Sequence, residues 1–237
     1  MSLIMTQRAL LPERMDSQAL TPQELSRVLL TLETVNRALG GTRATLWHLK
    51  RFSRFWRTGQ AIRIVDWGTG GADIPRAIVR WARRCGFSVE IVGVDNHPAV
   101  LEYARGACQG YPEIRIVTGD LAHLPAVQEP FDYAIASLCL HHLSDETIVD
   151  LLRKSDRFIQ RGIILNDLKR SARAWAWIWA LTRLLPAHPI VQHDGPLSVR
   201  NAFTKRELEY LARQAGLSYL QVRTHFGYRL TLAGEKL

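Results

Sequence analysis

An α/β fold built on a parallel sheet is predicted by three observations on this chain of 237 residues. Four apolar runs, at 62–65, 89–94, 114–117 and 131–136, each pass into polar residues at their carboxyl ends. Between the first run and a helical stretch stands Asp66-Trp67-Gly68-Thr69-Gly70-Gly71-Ala72-Asp73, a glycine-rich turn in the strand–turn–helix context. The chain then closes on two alternating segments, 219–223 and 226–233, joined near Thr224-His225.

Each element has a local cause. Thr21-Pro22-Gln23-Glu24 is a capping box with Pro at the first helical position, and Leu25, Val28, Leu29, Leu32, Val35, Asn36 and Leu39 follow at helical spacing until Gly40-Gly41. A second helix, 43–57, carries Leu46, Trp47, Leu49, Phe52, Phe55 and Trp56 among cations. Ile74, Ile78 and Trp81 mark the helix after the glycine turn, and Val100, Leu101 and Ala104 the one after Asn96-His97-Pro98. A fifth strand at 162–165 is closed by Asn166-Asp167-Leu168. It leads into a helix over 171–185 holding Trp175, Trp177 and Trp179. Residues 188–203 read as a loop, after which Thr204-Lys205-Arg206-Glu207 caps a last helix that Gly216 ends.

The acids select the ligand of the turn. A dinucleotide sets its pyrophosphate against the helix N-terminus and wants Gly where this chain has Asp73. Asp66 and Asp73 would repel that pyrophosphate. S-adenosylmethionine has no phosphate and brings a sulfonium and an ammonium, which carboxylates attract. Asp95, ending the second strand, is placed to take both hydroxyls of a ribose. In an open parallel sheet all these strand endings converge on one crevice.

Over residues 60–237 the chain resembles the class I S-adenosylmethionine-dependent methyltransferases, and its turn and second-strand pattern is similar to that of the ubiquinone/menaquinone-type members. The resemblance implies a Rossmann-like, doubly wound, seven-stranded sheet with an antiparallel last strand. It also implies an N-terminal helical cap, residues 1–60, before a cofactor-binding domain, 61–237, with an acceptor-side insertion at 168–203. Carried over, the methionine end of the cofactor falls to Asp66, Gly68, Thr69 and Gly70, with Asp73 behind them, and the ribose to Asp95 with Asn96. The adenine falls to Asp120 and Leu121, and Ser137 ends the fourth strand at the same crevice. Ala72 departs from the family by standing where many members have a glycine. The N-terminal helices either shape the acceptor pocket or cover a sheet edge.

Bulk properties limit the setting. Three scattered cysteines without C-x-x-C spacing suggest neither a disulfide framework nor a zinc site, so no metal is expected. No apolar run approaches a membrane span, and a reducing, cytoplasmic location is expected. The net charge of +9 raises nucleic acid as a partner. Enzymes of this fold that methylate base nitrogens carry a Pro-Pro-aromatic segment after strand four. Here that place reads Ser137-Leu138-Cys139-Leu140, so the arginines are read as solvated helix faces and nucleic acid as an unfavoured partner.

The expected reaction is methyl transfer to a small, largely apolar hydroxylated or quinone-like metabolite, O-methylation favoured over C-methylation. His141, His142 and Asp167 are the candidate catalytic residues, a histidine being the side chain best suited to take a hydroxyl proton near neutral pH. Trp175, Trp179, His193 and Tyr228 are the candidate acceptor contacts. The tryptophan helix also fits the surface of a membrane or a dimer interface. The alternatives are an RNA methyltransferase using the basic surface, and a nonenzymatic binding protein on the same fold.

Overall fold

Burial on both faces of the first strand sets the architecture. In β1 (Ala61–Trp67), Ile62 and Ile64 point to one face and Val65 and Trp67 to the other, and all four are buried. A strand apolar on both faces needs helices on both sides. The computed structural model describes residues 5–17, 20–57, 59–120, 130–184 and 187–236. It adds β2 (Ser88–Asp95), β3 (Ile114–Thr118), β4 (Phe131–Ser137), β5 (Ile159–Leu168), β6 (Gln221–His225) and β7 (Arg229–Glu235). The seven strands form one sheet in the order β3-β2-β1-β4-β5-β7-β6, with β7 antiparallel to both neighbours. The expected doubly wound sheet with a reversed last strand is what the chain forms.

One face is covered by α3 (Gly41–Phe52), α4 (Asp73–Cys85) and α5 (Pro98–Ala107), whose Leu49, Phe52, Ile78, Trp81 and Ala104 pack on Ile64, Ile91, Tyr133 and Ile135. The other takes α6 (Asp145–Asp156) and α9 (Lys205–Ala215) through Leu151, Leu152, Leu208 and Leu211. Both capping boxes form. Thr21 and Glu24 start α2 (Pro22–Ala38), and Thr204 and Glu207 start α9. Leu25 and Leu29 of α2 bury against Val100 of α5. No helix among the described residues is long and apolar enough to cross a membrane.

Three expectations need correction. Residues 188–203 do not loop: α8 (Pro189–Asn201) runs through them behind α7 (Ala172–Leu184). His188 caps α8 through Nδ1, Pro189 takes the first turn, where its missing N–H costs nothing, and Pro196 is accepted inside the helix. Burial of Ile190, Val191, Leu197 and Val199 outweighs the lost backbone bond. Asn166 and Asp167 do not close β5 but lie within it, paired with Thr231 and Leu230 of β7. Thr224-His225 belongs to β6, and the turn is Phe226-Gly227-Tyr228. A Cβ on Gly227, at φ +74°, would sit 2.0 Å from the carbonyl oxygen of Leu39, so the turn docks on the end of α2 only because the residue is glycine.

Candidate active site

The carboxyl ends of β1, β2, β4 and β5 gather the functional side chains in two groups. The first surrounds the glycine turn. Thr69 donates its hydroxyl to Asp66 at 2.7 Å and its N–H to the Val94 carbonyl at 2.9 Å, which lays the turn across β2. Gly93 makes room, since a Cβ there would stand 2.7 Å from Thr69 Oγ1. Asp95 accepts N–H bonds from Gly70 at 3.0 Å and His97 at 3.1 Å, so the main chain orients both its oxygens. Ala72 takes the left-handed conformation, φ 56°, and its methyl is fully buried, so the departure from glycine is accommodated by the loop itself.

Electrostatics in this group favour a cation. Burial pushes the Asp66 carboxyl up to about 8, and the nearby charges of Asp73 and Asp95 push the same way against the Thr69 hydrogen bond. Asp73 is also raised by burial, although Asn36 Nδ2 donates to it at 3.2 Å. Asn96 and Asp120 are exposed at the strand ends, and Gly68 takes φ 62° between Trp67 and Thr69. Leu121 lies outside the described residues. Ser137 Oγ lies 3.4 Å from Asn166 Nδ2, at the boundary between the two groups.

The second group centres on the short turn Leu140–His142 after β4. His141 Nδ1 lies 2.7 Å from Asp167 Oδ1, the His141 N–H donates to Asp167 Oδ2 at 3.1 Å, and Nε2 faces Glu13 Oε1 at 3.4 Å. Burial opposes charge on the ring, but Asp167 and Glu13 outweigh it and raise the imidazole from 6.5 to about 10. Asp167 and Glu13 thus favour the protonated ring, each facing one of its nitrogens. His142 is the more open ring, 3.0 Å through Nδ1 from Asp16.

The acceptor candidates separate. Trp175 is half-buried against the cluster of Leu39, Leu168, Ala174, Ile178 and Val199, which Leu138 and Tyr228 also join. Trp177 and Trp179 are 49% and 44% exposed, and Arg183 lies over the Trp179 ring. His193 holds Asp194 at 2.7 Å on α8. Tyr228, at φ 56°, accepts the Lys169 N–H through its carbonyl.

Sequence reasoning missed the N-terminal segment. Arg8 pairs with Asp145 and stacks on Phe203, Arg14 and Met15 give their N–H groups to Asp194, and Glu13 and Asp16 reach the two histidines. It also missed Arg229, fully buried at the start of β7. Its Nη2 donates to Asn36 Oδ1 at 3.0 Å, while Nε and Nη1 have no partner among the described residues. Burial draws Arg229 down to about 10, so it stays charged between Asp167 and Asp73. The signal was a lone cation in an otherwise apolar alternating strand.

Sheet order, glycine turn and strand-end acids together define a methyltransferase-type α/β domain. Residues 64–162 match the family model described as a methyltransferase domain. Over 94 residues, 39% of this chain and 29% of the other, the sequence is 30% identical to the tRNA (carboxymethyluridine(34)-5-O)-methyltransferase of Saccharomyces cerevisiae. The match thus spans under a third of that protein. The structure superposes on a SAM dependent methyltransferase from Aquifex aeolicus with TM-score 0.61, at 14% identity and over 92% of this chain and 100% of that one. On human N-acetylserotonin methyltransferase in complex with SAM it gives TM-score 0.63, at 17% identity and over 91% of this chain and 56% of that one. At such identities the likeness shows the fold. Residues 64–162 thus match a methyltransferase domain, and the fold is the one that these S-adenosylmethionine-dependent methyltransferases share.

Proposed function

We propose that this chain transfers a methyl group from S-adenosylmethionine to a small, largely apolar hydroxylated or quinone-like metabolite, with oxygen the favoured acceptor atom. The observation that carries the cofactor is the acidic cleft. Burial holds both Asp66 and Asp73 above the ordinary carboxylate range beside Asp95, and a bound cation stabilises their charged forms where a pyrophosphate would oppose them. Asp66, Thr69 and Gly70 would hold the amino-acid end of the cofactor, and Asp95 the ribose. When bound, the cofactor supplies an electrophilic methyl on a sulfonium.

The chain's own part is positioning. An in-line displacement gains most of its rate from holding the nucleophile near attack distance and from excluding water. Leu138, Leu168 and Trp175 offer an apolar surface at the ends of β4 and β5, and His141 is fixed at its edge by Asp167. The free thiols of Cys85, Cys108 and Cys139 are consistent with work in a reducing cytoplasm. Methyl uptake from labelled cofactor, screened over apolar phenols, quinones and RNA, tests the proposal. Uptake into phenols or quinones supports it, and uptake into none of the three speaks for a nonenzymatic binder.

The match to the yeast tRNA methyltransferase and the net charge of +9 favour RNA as the second acceptor class. Salt decides between them. Nonspecific phosphate contacts weaken steeply with ionic strength, so RNA binding is expected to collapse by roughly 200 mM salt. Sequence-selective binding that persists there would put RNA first.

A further inference from the structure

We propose that Glu13, His141 and His142 form a binding site for one divalent metal ion of the zinc type. A carboxylate oxygen of Glu13 and one ring nitrogen of each histidine lie within 4.8 Å of one another. Two histidines and a carboxylate are a donor set that zinc and its neighbours in the first transition row accept.

One edge of the cluster already has the length such an ion needs. Zinc–nitrogen and zinc–oxygen arms of about 2.0–2.1 Å at tetrahedral angles place neighbouring ligand atoms roughly 3.3 Å apart. His141 Nε2 and Glu13 Oε1 are 3.4 Å apart, long for a charged hydrogen bond and close to that edge. The surroundings fit as well. A metal-bound histidine almost always gives its other ring N–H to a carboxylate, which fixes the tautomer and makes the ring a better ligand. His141 has Asp167 at 2.7 Å from Nδ1, so a metal would take the Nε2 position facing Glu13 and displace its proton. Asp16 stands 3.0 Å from Nδ1 of His142 and orients that ring.

Glu13 is itself held in place. Ser198 donates to its Oε1 at 2.7 Å, and the next two N–H groups, of Arg14 and Met15, are fixed by Asp194 at 3.0 and 2.9 Å. The cluster therefore sets three carboxylates, Glu13, Asp16 and Asp167, against two imidazoles, with Arg8 engaged by Asp145 and by the His141 and Leu143 carbonyls, and Arg229 acting on Asp167. With both imidazoles neutral, as ligands must be, the carboxylates stay in excess even beside Arg229, and a dication meets that excess. No ligand spacing betrays the site in the sequence, because its ligands come from the N-terminal segment and from the turn after β4. Metal bound here would lie at the ends of β4 and β5, beside the surface assigned above to the acceptor.

Calorimetric titration of the full chain with zinc ion, after stripping with a chelator, tests the proposal without methyl donor or acceptor present. One zinc per chain is expected, lost in Glu13→Gln and in His142→Ala and weakened about 10–100-fold in Asp16→Asn. Cobalt should give the visible absorption of a tetrahedral site in the wild-type chain and not in His142→Ala. His142 is exposed, so that variant reports even where Glu13→Gln disturbs the segment that carries it. Cys85→Ser and His225→Gln remove metal-binding side chains outside the cluster and should leave the titration unchanged. Absence of saturable zinc binding overturns the site, as does binding that survives both ligand variants or that is lost in a control. Methyl transfer by a chain that binds no zinc would overturn this site alone, and zinc binding by a chain inert to every acceptor would overturn the reaction alone.

Discussion

His141 and Asp167 meet across 2.7 Å at the ends of β4 and β5, both buried, with the Asp167 carboxylate also taking the His141 and Leu168 N–H groups. The carboxylate thus fixes the ring and the backbone of its turn together. Although burial alone would raise Asp167, the charge and hydrogen bond of His141 hold it below the ordinary carboxylate value. If the ring anchors an acceptor oxygen, His141→Ala should lower kcat by about 10²–10³, the usual cost of one positioned donor. Asp167→Asn should cost less, because Glu13 still flanks the ring. Single-turnover methyl transfer at saturating cofactor measures both, and near-normal rates in both would remove the pair from the reaction.

Asp66 predicts a proton balance. Its carboxyl stands at about 8 in the fold against an ordinary 3.8, so in the free chain at pH 7 it carries a proton that the unfolded chain does not. Its contribution to stability is therefore fully present below about pH 4 and is lost as pH rises through about 8. A cationic cofactor bound beside it should drive the proton off. Calorimetry of S-adenosylmethionine binding at pH 7 in buffers of different ionisation enthalpy is expected to show proton release, abolished in Asp66→Asn. A heat that does not depend on buffer would contradict the assignment.

Asp95→Ala should weaken binding of S-adenosylhomocysteine by about 1–3 kcal/mol, the worth of a charge-assisted hydrogen bond to a ribose hydroxyl. The same variant frees the Gly70 and His97 N–H groups, so it also loosens the turn. Titration with the methionine-free nucleoside separates the two effects: loss confined to the ribose lowers both affinities alike. Tight NADH binding with none of either sulfur nucleotide would overturn the cofactor.

What was legible in the sequence follows the range of the interactions. The glycine turn, the two capping boxes and Asp95 at the end of β2 are determined within about four residues, and each stands where the sequence placed it. α8 was hidden because Gly195-Pro196 reads locally as a break, while the burial that holds it helical comes from α7 and the N-terminal segment. Glu13 and Asp16 carry no local mark at all. Their partners lie beyond residue 140, and only the folded chain brings them together. Arg229 lies between these cases, an out-of-pattern cation whose partners Asn36, Asp73 and Asp167 come from three separate elements.

Gly227 tests the docking of the β6–β7 turn on α2. An alanine there needs φ +74° and places its methyl 2.0 Å from the Leu39 carbonyl oxygen. Backbone strain and the clash together should cost about 3 kcal/mol or more. Thermal unfolding of Gly227→Ala measures it. A melting temperature equal to wild type would mean that the turn and the end of α2 are not in contact in solution.

The tryptophans of α7 separate an acceptor wall from a surface stripe. Spacing at i and i+4 puts Trp175 and Trp179 on one side of the helix, their rings 6.4 Å apart, and Trp177 on the other. Only Trp175 reaches the inner cluster, through Leu168, Ile178 and Val199. Acceptor binding should therefore quench fluorescence that disappears in Trp175→Phe and persists in Trp177→Phe. Trp175→Ala should raise KM for the acceptor with kcat little changed, the signature of lost uniform binding. Trp177→Ala should change stability by no more than about 0.5 kcal/mol, as an exposed residue does. If Trp177→Ala instead abolishes binding to anionic lipid vesicles while acceptor KM is unchanged in both variants, α7 is a membrane-facing helix and the acceptor wall lies elsewhere.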